Sequence, residues 1–277
     1  MVLTVKNSGT KFTKSDWRIR EFIENNTDEF LFLSIGQLAA RLEVSEATIS
    51  RFVRHMGYQD FKELKNGVMK QKTRMGAARK MAGTLMKNQG FDLEKWFAHQ
   101  RECMEKTLEG MDPDQFWQAV ESIRTAERIY IHAKNASASV GQLLFFRLRR
   151  LGFAITMIPS GGTEVVEGIV HAGPGDLVIL FGYSKISEEG KIILDYAGTA
   201  GYRTLLFTSR PEGNTRADVN LYVYRGEEEE FHSSAVSAAL ADGLVLALTE
   251  RMQPLSAERM IKVQNVKNMY KHRVQDP

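Results

Sequence analysis

The sequence predicts an all-α N-terminal helix-turn-helix domain followed by an α/β domain, a five-stranded parallel sheet with helices on both faces. Three observations predict it. Between Leu33 and Phe61, two short runs with apolar residues at helical spacing flank a tight turn. Beyond Pro113, short apolar runs alternate with helical stretches, the pattern of right-handed crossovers joining parallel strands. Charge is also divided unevenly. Residues 1–90 hold 16 Lys+Arg against 9 Asp+Glu, a net of +7, whereas 91–277 hold 21 against 25, a net of −4.

Composition bounds the function classes. A chain of 277 residues, 43% hydrophobic and 26% charged, has the length of two domains and the apolar content for packed cores. The opening MVLTVKNSGTKF lacks the apolar core of a signal peptide, and no window approaches a membrane span. The single Cys103 excludes an internal disulfide and a Cys-based zinc site. A cytoplasmic protein without metal or cofactor is the expectation.

The helical half divides into a domain over 1–77 and a helical linker over 78–111. The first dozen residues read as a loose arm. A helix follows over Lys14–Asn26, with Ser15 as its candidate cap and Trp17, Ile19, Phe22 and Ile23 as its apolar side. Asp28–Leu33 makes a short apolar turn of helix. Ile35, Leu38, Ala39 and Leu42 form the first stripe of the motif, and Ala47, Ile49, Phe52, Val53 and Met56 form the second. Glu43–Val44–Ser45 is the turn between them, with Ser45 as N-cap and Gly57 as the stop.

The second helix of such a pair is shaped for the DNA major groove. Ser45, Glu46, Thr48, Ser50, Arg51, Arg54 and His55 are its candidate DNA-binding residues. Arginines reach bases or phosphates, and hydroxyls contact either. Residues 62–87 add Lys62, Lys65, Lys70, Lys72, Arg74, Arg79, Lys80 and Lys87 against one acid, Glu63. Gly67, Gly76 and Gly83 make this a jointed connector. It reads equally well as a solvated face and as a set of phosphate contacts. Asn88–Gln89–Gly90 marks a break. A helix over 91–108 then presents Leu93, Trp96, Phe97 and Met104 as a brace or dimer contact.

In the second domain, over 112–277, Asp112 and Pro113 open a helix running to about Thr125. Strands are predicted at Arg128–Ala133, Phe153–Ile158, Asp176–Phe181, Arg203–Thr208 and Val219–Tyr224. Helices are predicted near 136–151, 162–171, 187–200 and 232–251, with a short turn near 211–216. Ligands of such sheets bind at the carboxyl ends of strands. Two loops therefore matter most, Lys134–Ser139 and Gly182–Ser187.

These parts together resemble the RpiR/MurR family of bacterial regulators, a helix-turn-helix domain joined to a sugar-isomerase (SIS) domain. VSEATISRFVRHMGYQDFKELK at 44–65 is the most specific stretch. LRRLGF at 148–153, GDLVILFGYS at 175–184 and HSSAVSAALADGL at 232–244 are also similar. The resemblance implies a DNA operator as partner, pairing into a homodimer or homotetramer through the SIS domain, and a phosphorylated sugar as effector of a carbohydrate operon. It departs at the effector loops. Where the family has GxGxS, this chain has Ala133-Lys134-Asn135-Ala136-Ser137; where it has SxSGxT, this chain has Gly182-Tyr183-Ser184-Lys185-Ile186-Ser187.

Lys134, Asn135, Ser137, Tyr183, Ser184, Lys185 and Ser187 are the candidate effector-binding residues. Hydroxyls and backbone N–H groups at a helix N-terminus hold phosphate. Loss of the glycines removes close backbone approach. Two readings stand: a small anionic metabolite, a sugar phosphate by resemblance, or an altered or lost site. Glu188, Glu189 and His232 offer a weak acid–base set, with a sugar-phosphate isomerase as the alternative function. The primary expectation is a regulator with no catalytic residues. Glu227–Glu230 reads as a solvated loop, and His132 as a core histidine with its hydrogen bonds satisfied.

Overall fold

The structure is a computed structural model and describes residues 12–70, 76–87, 90–271 and 273. Most of the N-terminal arm, residues 88 and 89 of the break, Lys72, Arg74 and the Lys70 side chain lie outside the described residues. Two compact units result: residues 1–97 with 226–232, and 98–225 with 233–277.

Among its described residues the first unit has helices and connecting turns but no strand. Helix α1 (Lys14–Asn25) is capped by Thr13, not Ser15, because Thr13 and Asp16 close a capping box. Trp17 is 55% exposed and stacks near Phe12, so the buried side of α1 is carried by Ile19 and Ile23 instead. Helices α2 (Thr27–Phe32), α3 (Ile35–Arg41) and α4 (Glu46–His55) follow. Ser34 and Gln37 form a second capping box at α3. Ser45 Oγ accepts from the backbone N–H of Thr48 at 3.1 Å, and Gly57, at φ +84°, turns the chain out of α4. Ile49, Phe52 and Val53 are buried in the core with Leu38, Ile19 and Phe30. Each such side chain contributes about 1.5–3 kcal/mol. Ala47, expected on that stripe, is exposed.

Helices α5 (Phe61–Lys70) and α6 (Ala77–Lys87) complete the unit. Two cations of the expected solvated connector face inward. Lys65 is 8% exposed and donates to the Leu31 carbonyl at 3.0 Å. Arg79 is 3% exposed and pairs with Asp28 at 2.9 Å. Ala82 and Gly83 are buried beside Arg79 on α6, so the first unit runs past residue 77.

Helix α7 (Leu93–Gly110) buries Gln100, Cys103 and Thr107, whereas Leu93, Phe97, Met104 and Leu108 are exposed. In the second unit, Asp112 caps α8 (Pro113–Arg124), as its Asp-Pro opening predicts. Strands β1 (Ile129–His132), β2 (Ile155–Met157), β3 (Leu177–Phe181), β4 (Arg203–Thr208) and β5 (Val219–Tyr222) pair in the order β2-β1-β3-β4-β5, all parallel. Helices α9 (Ser137–Arg150), α10 (Glu164–Ile169), α11 (Glu188–Ala200) and α12 (Ala235–Arg251) cover the two faces. Leu177, Ile179, Leu205 and Phe207 pack toward α8, α9 and α12; Val178, Leu180 and Leu206 pack toward α10 and α11. This two-residue alternation between two dry faces explains why the strands read as near-continuous apolar runs. The segment 211–216 holds only turns, and His232 precedes α12 rather than opening it. A further helix, α13 (Leu255–Tyr270), follows Pro254 with only Ser256 buried, and no element was expected there.

Candidate functional site

Helix α4 sets out its candidate residues unequally. Arg51 and Arg54 are exposed, and Ser50 is half-buried. The Thr48 hydroxyl lies 2.9 Å from that of Ser45 and accepts from Arg51 at 3.3 Å, so both hydroxyls are committed to the helix start. Glu46 lies over Gly36, where an added Cβ would stand 2.7 Å from its Oε1. His55 is partly withdrawn: its Nδ1 is 3.1 Å from Oδ2 of the buried Asp16. Burial works to raise the Asp16 carboxyl, but hydrogen bonds from Thr13 and His55 outweigh it and hold its pKa below the usual value. The exposed cations of α4 are thus Arg51, which also donates to Thr48, and Arg54.

The strand order reverses between β1 and β3, and the loops after these two strands flank the crevice that such a reversal opens. Lys134 Nζ donates to Glu189 Oε1 at 2.8 Å, tying the first loop to the start of α11. A Cβ on Gly161 would lie within 3.6 and 3.8 Å of Glu189 and Lys134, which brings the loop after β2 to the same mouth. The ion pair and nearby hydrogen bonds hold the Glu189 carboxyl down to about 2. His132 is buried at the end of β1, and neither ring nitrogen has a hydrogen-bond partner among the described residues. Desolvation holds its pKa down; Glu189 opposes this and Lys134 adds to it. An interaction with the Pro159 backbone partly offsets that desolvation, so the core histidine expected there is buried but incompletely satisfied.

The hydroxyls are mostly engaged. Ser137 donates to the Lys134 carbonyl at 2.7 Å, and Ser187 caps α11 by accepting from Gly190 N–H at 3.1 Å. Tyr183 donates to Ser237 at 2.7 Å, away from the first loop. Ser184 and Lys185 are exposed, as is Asn135, at φ +53°. Two cations were missed by sequence reasoning. Arg210, after β4, donates to the Ser184 carbonyl at 3.2 Å, and Arg225, after β5, stacks on Tyr183. A cation within two residues of the predicted strand ends at Ala133, Thr208 and Tyr224 was the available signal. Among the described residues no cluster of His, Cys, Asp or Glu is arranged to hold a metal ion, and no helix is long and apolar enough to cross a membrane.

A helix-turn-helix unit and a parallel α/β unit with a cationic mouth define a DNA-binding protein fused to a ligand-binding type of fold. Residues 1–73 match the helix-turn-helix domain of the rpiR family. An uncharacterized HTH-type transcriptional regulator of Caldanaerobacter subterraneus subsp. tengcongensis is 23% identical over 250 residues, covering 89% of this chain and 87% of that protein. The NanR protein of Vibrio vulnificus, solved with ManNAc-6P, is similar at TM-score 0.56 and 22% identity, covering 92% of this chain and 93% of that one. The sugar isomerase domain of an RpiR transcription factor from Sphaerobacter thermophilus is similar at TM-score 0.56 and 23% identity, over 61% of this chain and 96% of that one. Residues 1–73 thus carry an rpiR-family helix-turn-helix domain, and the second unit shares the fold of the sugar isomerase domain of that transcription factor.

Proposed function

We propose that this regulator binds a two-fold symmetric operator through α4 and answers to a small anionic metabolite, a phosphorylated sugar, bound at the carboxyl ends of the second unit's strands. One observation carries the effector reading. Four cations, Lys134, Lys185, Arg210 and Arg225, follow four different strands (β1, β3, β4 and β5) around a loop whose Ser184 is exposed. Such convergence raises the local concentration of anions. The ManNAc-6P held by NanR, a protein of similar fold, supports a phosphate ester as the class. We read the mouth as a sensor and not a catalytic centre, and the protein as a cytoplasmic controller of a carbohydrate operon.

The exposed apolar residues Met104, Leu108 and Trp117, beside a groove of about 430 Å³ that also takes in Phe116 and Leu240, support pairing of two copies through the second unit. Thermal-shift measurements of the full chain with hexose and N-acetylhexosamine 6-phosphates test the effector reading. A rise in Tm with a phosphate ester and none with the free sugar is the expected result; no response to any phosphate ester overturns it.

A further inference from the structure

Tyr183 lies in the loop after β3, and two residues distant in sequence hold it. Its hydroxyl donates to Ser237, fully buried on α12, at 2.7 Å. The Arg225 guanidinium carbon lies 3.4 Å from its ring centroid. The Arg225 Nε is buried without a hydrogen-bond partner, and no carboxylate among the described residues stands within ion-pair distance. Burial pushes this guanidinium down to about 10. Arg225 is half-buried, and withdrawing part of a cation from water without a counter-charge is costly; an anion arriving at Ser184, next to Tyr183, would relieve that cost.

The chain between these two anchors does something different. Residues 226–232 belong to the first unit, as a strap along α6. The buried Glu230 carboxylate accepts from Lys87 Nζ and from the Glu227 N–H, where a solvated acidic loop was expected. Phe231 N–H donates to the Thr84 hydroxyl at 2.7 Å, and the Phe231 ring is 6.0 Å from Trp96. At Gly83 a Cβ would stand 2.7 Å from the Glu229 carbonyl oxygen, so only glycine lets the two backbones meet. A segment gripping the helical unit therefore begins directly after Arg225 and ends shortly before Ser237.

We propose that Arg225 and Tyr183 form the coupling element of this regulator: an anion at the Ser184 loop gives Arg225 a counter-charge, alters its stack on Tyr183, and thereby resets the strap on α6. This rests on the effector reading above. A ligand can shift such an equilibrium only through contacts that differ between its states, and the stack supplies one. Arg225 acts here as a positioning residue for the strap as well as a contact for the anion.

Hydrogen exchange on the full chain tests the coupling. Three variants are compared with the wild type: Arg225→Gln, Tyr183→Phe and Gly83→Ala. Without ligand, the first two should raise exchange over 226–232 and along α6 while leaving α9 unchanged. Gly83→Ala should do the same from the other side without touching the mouth. With glucose 6-phosphate, and glucose as control, wild-type protection should extend from 182–187 into the strap, and Arg225→Gln should lose the strap part. Strap exchange identical to wild type in both Arg225→Gln and Tyr183→Phe overturns the coupling. A phosphate ester that protects nothing at 182–187 counts against the effector reading, and the ligand-free comparison still decides the coupling.

Discussion

Nζ of Lys134 lies 2.8 Å from Oε1 of Glu189, so the first cation of the proposed effector mouth is already engaged by a carboxylate of the protein. An anionic ligand must compete with that carboxylate for the lysine and approach it against like charge. Glu189→Gln should therefore tighten binding of a phosphate ester several-fold in calorimetric titration, while Lys134→Met should weaken it. Equal affinity in wild type and Glu189→Gln would place the ligand away from Lys134.

Asp16 joins the cap of α1 to His55 at the end of α4. Its carboxyl is held below the ordinary value of 3.8, so its stabilisation is fully present above that pH and is lost as pH falls through the lower folded-state value. Asp16→Ala should cost about 0.5–2 kcal/mol near neutrality, the scale of a helix cap, when denaturant unfolding of the helical unit is followed. The cost should shrink as the buffer is taken below the ordinary carboxylate range. A cost that stays constant with pH would mean that the ionised group is not what stabilises.

Lys62 and Lys65 lie on the same short helix with opposite duties. Lys62 is exposed, whereas Lys65 is buried against the Leu31 carbonyl. Lys62→Ala should reduce the salt slope of DNA binding by about 1 if it meets a phosphate. Lys65→Met should leave that slope unchanged.

Burial also pushes the Lys65 amine down from 10.5 to about 8. Between those values the unfolded chain binds more protons, so wild-type stability rises with pH there. The gain in stability from Lys65→Met should thus be largest below pH 8 and fade by pH 10.5. A gain that does not vary with pH contradicts the burial of a charged amine.

The parallel sheet was legible because Leu177–Phe181 and Arg203–Thr208 are apolar on both faces, and the turn before α4 because Ser45 and Gly57 mark its two ends. Side-chain direction was not. Lys65 and Arg79 read as surface charge, yet their long stems carry them inward to Leu31 and Asp28, and Glu230 does the same toward Lys87. Helix α13 escaped notice because a helix burying only Ser256 leaves no core-facing stripe to read. In the mouth, the loop positions were evident, but Arg210 and Arg225 reach it from strands whose adjacency only the fold provides.

Control of α4 by an anion bound to the second unit is tested by selecting the preferred duplex of the full chain from a random DNA library, then measuring affinity for it with and without the phosphate ester that raises Tm. A palindromic site, weakened binding by Arg51→Ala, and an affinity that changes with the ester and not with the free sugar are expected. Binding without sequence preference, or an affinity indifferent to every phosphate ester, would contradict it.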